Sequence, residues 1–281
     1  MKPAPFSYIR PSSLEETLVL LEDNGDRARI LAGGQSLVPM MNLRLARPEM
    51  IVDIQDLDLT ELSVDDDGMT VGALVTQRTL EHADAVKKHC PLLAEAIPYV
   101  AHPPIRQRGT IGGTIAHSDP AAELPTVLSA LGGFVTLKSA RDVREVSAAD
   151  YFLGFLTNAA EPQEMVIGVR FPAWKGAGTA FEEFARRAGD YALVMVAALV
   201  SRSQGRIRVA IGGVGPTPLV VESTTLSGAP DVLAAEAVEL ALERLDPQSD
   251  IHASAEYRTH LVRHLTERAV RRAAQAEEAS S

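Results

Sequence analysis

Apolar residues in the first third of the chain recur in patterns typical of short helices alternating with short strands. In SSLEETLVLLEDNGD the leucines recur at helical spacing, Ser13 and Glu16 match a capping box, and Gly25 follows the last turn, so a helix is predicted here. The runs ARILAGG, MIVDIQDL and DDDGMTVGALVT are short, apolar and bounded by turn residues. Each of these three runs predicts a strand.

The middle of the chain is predicted to contain more helix than strand. Helices are expected at about 76–83, 92–100 and 121–130, and the two prolines of AHPPIRQRG predict an extended loop between the second and the third. GGFVTLKS and EMVIGVRFPA have the composition of strands, and a short helical stretch is expected around Tyr151 between them.

The last third has a simpler pattern and indicates a second, smaller domain. PAWKGAGT, residues 172–179, collects proline and small residues and is interpreted as the boundary, which gives domains at 1–175 and 176–281. The larger domain is divided into subdomains at about 1–55 and 56–175. In the smaller domain, apolar runs predict a three-stranded antiparallel meander and two long helices, at 180–187, 191–201, 206–214, 231–245 and about 255–275. The fold class is therefore α+β.

Composition and charge exclude several classes of protein. The chain has 281 residues, of which 46% are hydrophobic, and its formal net charge of -10 argues against nucleic-acid binding. The longest apolar run, Tyr191 to Val200, is far shorter than the roughly 20 residues of a membrane-spanning helix. With no signal-peptide pattern at the start, a cytoplasmic protein is expected. Cys90 is the single cysteine, so any iron–sulfur centre that works with this protein must belong to another chain.

Two Gly-Gly segments carry the candidate chemistry. The first glycine segment, LAGGQS at 31–36, follows a predicted strand, and the second glycine segment is GTIGGT at 109–114. Glycine lets the backbone approach a ligand closely, and consecutive backbone N–H groups can hold a diphosphate without lysine. Neither segment matches the Rossmann or P-loop spacing. The two segments are therefore predicted to be backbone cradles that close on one extended dinucleotide.

The residues after the second segment strengthen this hypothesis. AHSDPAAELP places four polar side chains within seven residues, which is more than a plain loop requires. Asp119 precedes a proline and is interpreted either as the N-cap of the following helix or as a ligand contact. Glu123 would suit the hydroxyl groups of a ribose or the adenine of a dinucleotide.

In this order and separation, AGGQSLVPMMNLRLARPEMIVDI and TIGGTIAHSDPAAELP resemble the two FAD-binding motifs of the medium, flavoprotein subunit of molybdenum hydroxylases, such as carbon monoxide dehydrogenase and the xanthine dehydrogenase family. The resemblance extends over nearly the whole chain. It implies a vanillyl-alcohol-oxidase-type (PCMH) FAD-binding domain of two subdomains, followed by a smaller C-terminal domain with a three-stranded sheet and helices.

The resemblance also implies which residues contact the cofactor. Both glycine segments would hold the diphosphate and its neighbouring groups, Glu123 would lie near the adenosine half, and Tyr191 would lie against the isoalloxazine ring. The residues implied to bind FAD are Ala32, Gly33, Gly34, Gln35, Ser36, Thr110, Ile111, Gly112, Gly113, Thr114, Asp119, Glu123, Val166, Ile167 and Tyr191. No catalytic residue is assigned, and no metal ligand is assigned because His260 and His264 have no evident third partner.

The resemblance further implies the partners and the reaction. A large subunit would carry a molybdenum–pterin centre, a small subunit would carry two [2Fe–2S] clusters, and electrons would pass to the FAD of this chain and then to an external acceptor. The whole assembly would be a dimer of heterotrimers. The resemblance does not identify the substrate, which could be carbon monoxide, a purine or another aromatic compound.

Two residues depart from the family pattern. Thr114 stands where the family commonly has Asn, and Gln35 stands where some members have His, although each keeps a hydrogen-bond donor. Two alternatives therefore stay open: a stand-alone flavoprotein oxidase of the same fold, and an assembly subunit that has lost its flavin.

Overall fold

A computed structural model describes residues 2–224 and 228–280. Its N-terminal part begins with a parallel three-stranded sheet in the order β1-β3-β2. Parallel neighbours require crossover connections, which two helices supply. The elements are β1 (Ser7–Ile9), α1 (Leu14–Asn24), β2 (Ala28–Leu31), α2 (Leu37–Asn42) and β3 (Met50–Asp53).

Helix α1 forms as its sequence predicts. The Ser13 hydroxyl accepts a hydrogen bond from the Glu16 N–H, and Gly25 ends the helix with a φ of 50°. Leu18 and Leu21 are buried on one face, where they pack in one cluster with Val52 of β3. The Glu16 carboxylate bonds to the Ser12 N–H instead of to Ser13, so the capping box is shifted by one residue.

A five-stranded antiparallel sheet follows, in the order β4-β5-β10-β6-β7. Its middle strand is the last of the five in the chain, so β10 closes the N-terminal part between β5 and β6. The strands are β4 (Leu62–Asp65), β5 (Gly68–Gly72), β6 (Phe134–Lys138), β7 (Val143–Ser147) and β10 (Met165–Pro172).

Six helices lie between β5 and β6, and a small hairpin lies between β7 and β10. The helices are α3 (Gln77–His82), α4 (Asp84–His89), α5 (Pro91–Ala96), α6 (Pro103–Arg106), α7 (Ile111–His117) and α8 (Glu123–Leu131). The hairpin consists of β8 (Phe152–Gly154) and β9 (Thr157–Asn158) after helix α9 (Ala148–Tyr151). The prediction of an extended loop at the two prolines is wrong, because Pro103 and Pro104 occupy the first positions of α6, where their missing N–H groups cost nothing.

The C-terminal part is an antiparallel sheet with two long helices. The sheet has four strands, β11 (Gly178–Phe184), β12 (Val194–Ser201), β13 (Arg206–Gly212) and β14 (Leu219–Ser223), in chain order. The helices are α10 (Pro230–Arg244) and α11 (Ala255–Ser280). The α+β fold class is confirmed, whereas the prediction of three strands missed β14. This strand is short and only partly buried.

Strand β12 joins the two parts. Every residue of VMVAALVS is buried, because α11 packs on one face of the sheet and α8 on the other. Alternate side chains enter different cores: Met195 and Leu199 pack with the N-terminal part, whereas Val196 and Val200 pack with α10 and α11. The longest apolar run of the sequence is therefore a strand that is covered on both sides.

The segment before α7 is held by a buried ion pair. The Arg106 guanidinium donates to both carboxylate oxygens of Glu81 in α3 at 3.0 Å, and to the Val100 carbonyl at 2.8 Å. The Arg106 side chain is 6% exposed and that of Glu81 is 17% exposed. This hydrogen bonding holds the pKa of Glu81 below its usual value. The pair fixes the chain that leads into the second glycine segment.

Replacing Arg106 with Met should leave Glu81 as an unpaired, largely buried carboxylate. We expect the free energy of unfolding at pH 7, measured by urea denaturation, to fall by about 2–3 kcal/mol. The double variant Glu81→Leu/Arg106→Met removes both charges and should be more stable than Arg106→Met alone. A double variant that is no more stable than the single one would contradict this role for the pair.

Candidate functional site

The two glycine segments meet at Gly33, although their first residues are 78 positions apart in the chain. A Cβ atom on Gly33 would lie 2.0 Å from the Arg108 carbonyl oxygen and 3.0 Å from the Gly109 Cα. No residue with a side chain fits this contact, since backbone atoms occupy the space. The predicted meeting of the two segments in space is therefore correct.

A cavity of about 770 Å³ opens where the two segments meet. This volume is in the range of cofactor and ligand pockets. Of the fifteen residues predicted to bind the cofactor, thirteen line it: Ala32, Gly33, Gly34, Gln35, Ser36, Thr110, Gly112, Gly113, Thr114, Asp119, Glu123, Val166 and Tyr191. The other two, Ile111 and Ile167, do not line the cavity. Ile111 is fully buried in the core of the N-terminal part.

The first glycine segment presents unused backbone donors to the cavity. Within residues 2–224 and 228–280, the N–H groups of Gly33, Gly34, Gln35 and Ser36 have no hydrogen-bond acceptor. Gly34 has a φ of 74°, which an L-residue rarely adopts and which lets the loop turn into α2. The Gln35 side chain donates to the Gly33 carbonyl at 2.9 Å and so stabilises the loop from within. Consecutive backbone N–H groups without an acceptor are the donors from which anion-binding nests are built.

The second glycine segment differs in structure and in chemistry. Gly112 and Gly113 lie in the first turn of α7, and Thr110 is the N-cap. The Ile111 and Gly112 N–H groups donate to the carbonyls of Val75 and Ala73, at 3.0 and 2.9 Å. The Gly113 N–H donates to the Thr110 hydroxyl, and the Thr114 N–H to the Thr110 carbonyl. The prediction of a second backbone cradle is therefore wrong, because all four N–H groups already have acceptors.

What the second segment offers is close approach and hydroxyl groups. A Cβ on Gly113 would meet only the Thr110 hydroxyl oxygen at 2.9 Å and the Ala32 Cβ at 3.9 Å, so Gly113 presents a bare backbone surface toward the first segment. Gly112 has a different reason to be glycine: its Cβ would lie 2.5 Å from the Ala73 Cβ. Gly113 therefore faces the cavity, whereas Gly112 packs against the chain that follows β5.

Gln77 is a cavity residue that the sequence analysis missed. Its side-chain amide donates to the Thr114 hydroxyl oxygen at 2.9 Å, and the residue is 3% exposed. Its Oε1 atom is buried and has no partner within the described ranges. A single glutamine at the start of a short helix gives no sequence signal, because its importance comes from a contact with a residue 37 positions away.

Acidic side chains form one corner of the cavity at the start of α8. Asp119 is not the N-cap of this helix, which is Ala122; its carboxylate instead accepts from the Ala121 N–H at 2.9 Å in the preceding turn. Glu123 is 6% exposed, and burial raises its pKa to about 7. Glu183 comes from β11 in the C-terminal part and does not line the cavity, but burial together with the charge of Glu123 raises its pKa to about 8.

Tyr191 borders the same corner. Its side chain lines the cavity but is 63% exposed, so it lies at the mouth. Burial of the hydroxyl, followed by the charges of Asp119 and Glu123, raises the pKa of Tyr191. The two roles implied by the resemblance, adenosine for Glu123 and isoalloxazine for Tyr191, belong to opposite ends of an extended FAD. The structure nevertheless brings both side chains to one part of the cavity wall.

The described residues contain neither a membrane-spanning helix nor a metal-ligand cluster. No helix among them is long and apolar enough to cross a membrane. No group of three or more histidine, cysteine, aspartate or glutamate side chains lies together among them in an arrangement that could hold a metal ion.

Comparison with known proteins identifies relatives along the whole chain. The family model described as the FAD binding domain in molybdopterin dehydrogenase matches residues 4–174, and that of the CO dehydrogenase flavoprotein C-terminal domain matches residues 179–273. The chain is 38% identical to the 6-hydroxypseudooxynicotine dehydrogenase complex subunit alpha of Paenarthrobacter nicotinovorans, over 97% of this chain and 96% of that one.

Two further relatives are also matched over nearly the whole length of both chains. The carbon monoxide dehydrogenase medium chain of Afipia carboxidovorans is 37% identical and is matched over 97% of this chain and 98% of its own. A crystal structure of quinoline 2-oxidoreductase from Pseudomonas putida 86 contains a chain that superposes with a TM-score of 0.90 and 38% identity, over 99% of both chains.

The raised pKa values of Glu123 and Glu183 predict how stability depends on pH. A carboxyl whose pKa rises from 4.5 on folding binds more protons in the folded state, so stability falls as the pH rises from about 4.5 to about 8. Glu183→Gln removes one of these charges. We expect its melting temperature to exceed that of the wild type by about 3 °C at pH 8.5, and by much less at pH 5.

The control for this pH experiment is Glu61→Gln, at an exposed position outside the cavity. It should shift the melting temperature equally at both pH values. A Glu183→Gln effect that is the same at pH 5 and pH 8.5 would show that ionisation of Glu183 does not destabilise the folded protein.

Proposed function

This chain belongs to the family of FAD-binding medium subunits of molybdenum hydroxylases, and we propose that it uses one FAD to transfer electrons from iron–sulfur clusters of a partner subunit to an external acceptor. One observation carries the proposal: four free N–H groups of the first glycine segment line a cavity whose opposite wall is the glycine surface of α7. FAD supplies the redox chemistry when bound.

The residues of the cavity fit this cofactor. A diphosphate requires converging donors and no side chain in the way, which the N–H groups of Gly33–Ser36 and the bare backbone of Gly113 supply. The Gln77 Oε1 atom is buried and has no partner among the described residues. An unpaired buried acceptor favours a polar ligand or water at this part of the cavity wall. No lysine or arginine has to neutralise the phosphates if the N–H groups of Gly33–Ser36 bind them.

Each remaining cavity residue has a proposed part in holding the cofactor. Glu123 is proposed to accept hydrogen bonds from the hydroxyl groups of the adenosine half, since a buried carboxylate of raised pKa gains most from such donors. Val166 is buried and is proposed to pack against the flavin, whereas Ile167 on the same strand does not line the cavity. Thr110 and Thr114 supply hydroxyl groups at the diphosphate.

The proposed assembly includes the other redox centres. A large subunit with a molybdenum–pterin centre and a small subunit with two [2Fe–2S] clusters are proposed as partners, in a dimer of heterotrimers. The single cysteine, Cys90, is buried, so this chain has no ligand set for a cluster. Residues 1–175 are proposed as the FAD domain, divided at about 55, and residues 176–281 as the C-terminal domain.

The substrate of the assembly is not assigned. Relatives of 37–38% identity are named for a nicotine derivative, carbon monoxide and quinoline, so similarity of this subunit does not separate these substrates. This is expected if the organic substrate reacts on another subunit.

Two measurements on the purified protein test the proposal against its alternatives. Titration of the apoprotein with FAD should give bound flavin absorbance, and purification of a tagged chain from its native host should yield stoichiometric molybdenum and iron in two further chains. A chain that binds no FAD would favour the flavin-less subunit. A chain that is isolated alone with FAD and oxidises a substrate by itself would favour the stand-alone oxidase.

Replacing Gly113 with Leu should abolish FAD binding while leaving the C-terminal part folded. The added side chain projects between α7 and the first glycine segment, where only Ala32 and Thr110 lie within 4 Å of the Cβ. We expect a loss of affinity of at least about 100-fold in a fluorescence titration, because a filled cavity cannot accept the diphosphate. Gly215→Ala, whose Cβ would meet nothing nearer than 3.7 Å, is the control. Tight FAD binding by Gly113→Leu would remove Gly113 from the site.

Replacing Tyr191 with Ala tests which end of the cofactor this residue contacts. If the ring lies against the isoalloxazine, the visible absorption bands of the bound flavin should shift, or reoxidation should become faster or slower. The apoprotein melting temperature should stay within about 1 °C of the wild type, since the side chain is 63% exposed. An unchanged spectrum and rate with weaker FAD binding would instead place Tyr191 with Glu123 at the adenosine end.

A further inference from the structure

We propose that Gln77 is a positioning residue that makes the Thr114 hydroxyl a hydrogen-bond donor toward the diphosphate in the cavity. The inference rests on the proposed function and assigns a role to a cavity residue that lies outside both glycine segments.

The polarity of the Gln77–Thr114 contact is the first step of the argument. The Gln77 amide nitrogen lies 2.9 Å from the Thr114 hydroxyl oxygen, and an amide N–H only donates. The hydroxyl oxygen is therefore the acceptor, and its own hydrogen has to point away from Gln77. Both residues line the cavity.

Among the residues that the structure describes, none accepts the hydroxyl hydrogen of Thr114. Thr17 and Thr259 also lie in helices, and each donates its hydroxyl to the carbonyl four residues earlier at 2.9 Å. Thr114 makes no such bond within residues 2–224 and 228–280; its partner is Gln77. Thr114 therefore does not make the hydrogen bond to the carbonyl four residues earlier that threonines in helices often make.

The hydroxyl also matters because the backbone of the first turn of α7 has no free donor. The backbone N–H groups of residues 111–114 all have acceptors within the chain. A phosphate oxygen that approaches Gly113 thus finds no free backbone N–H at residues 111–114, and the adjacent Thr114 hydroxyl is a side-chain group that can donate instead.

Gln77 is itself held in place by its surroundings. Its backbone N–H donates to the Gly109 carbonyl at 2.8 Å, and a Cβ on Gly109 would lie 2.6 Å from its Oε1. Gly109 therefore leaves the room that the amide occupies. Because Gln77 is 3% exposed, water cannot easily replace it as the donor to Thr114.

Substitutions at Gln77 separate the polarity of the contact from its packing. Gln77→Met keeps the length of the side chain and removes the donor. Gln77→Glu keeps the shape but accepts from the Thr114 hydroxyl when ionised, which turns the hydrogen away from the cavity. Thr114→Val removes the hydroxyl, and Thr114→Asn supplies side-chain N–H donors that need no help from Gln77.

The test is a titration of each apoprotein with FAD and with riboflavin, which has no phosphate. We expect Gln77→Met and Thr114→Val each to weaken FAD binding about tenfold, and the double variant to bind no more weakly than Thr114→Val alone. Riboflavin affinity should stay unchanged in all three. In the Thr114→Asn background, Gln77→Met should have no effect on FAD affinity.

The pH dependence provides a second measurement that a purely structural role would not change. Gln77→Glu should bind FAD more weakly than Gln77→Met at pH 7.5. Its affinity relative to the wild type at the same pH should recover toward pH 5, as the new carboxyl gains a proton and becomes a donor. Comparison at equal pH cancels the titration of His117, Glu123 and Glu183, which are present in both proteins.

Three results would overturn the inference. One is an equal effect of Gln77→Met in the wild-type and Thr114→Val backgrounds, and another is an equal loss of FAD and riboflavin affinity. The third is a Gln77→Glu affinity ratio that does not change with pH, which decides the question even if Gln77→Met fails to fold. A wild-type protein that binds no FAD would instead overturn the proposed function, so the two failures are distinguishable.

Discussion

The structure of the site depends on one close backbone contact, that of Gly33 with the Arg108 carbonyl and Gly109. This contact joins the loop after β2 to the chain that enters α7, and the cavity opens directly beside it. Arg106 and Glu81 hold the second side of the contact, since their buried pair fixes α6 against α3. A side chain at Gly33 would separate the two segments before any ligand arrived. The glycine is therefore explained by the fold as much as by the cofactor.

The two glycine segments are similar in sequence but differ in the groups that they offer to a ligand. The first has four N–H groups without acceptors among the described residues, whereas the N–H groups of residues 111–114 in the second donate to Ala73, Val75 and Thr110. An anion can thus be held from one side by backbone donors and from the other by a smooth glycine surface and a hydroxyl. The C-terminal part lies close to this site as well, because burial and then the charge of Glu123 of α8 raise the pKa of Glu183 of β11.

Sequence patterns predicted those features that depend on local chemistry. Helix α1 and the α+β class follow from capping residues and apolar periodicity, whereas the family and the thirteen cavity residues follow from the resemblance of the two glycine segments to known FAD-binding motifs. Features that depend on distant partners were missed or misread. The N–H groups of α7 are paired because Ala73 and Val75 lie alongside, and no pattern within GTIGGT reveals those carbonyls. Gln77 is important because of its contact with Thr114, which is distant in the sequence. Pro103 and Pro104 begin a helix instead of preventing one. Strand β14 was missed because it is short and only partly buried.

Amide hydrogen exchange of the apoprotein and of the protein with FAD tests the central claim most directly, because it reports on each N–H group separately. The account predicts that the amides of Gly33–Ser36 exchange rapidly without FAD and become strongly protected when it is added. Those of residues 111–114 should be protected in both states and change little. Protection gained at residues 111–114, with none at residues 33–36, would contradict the account.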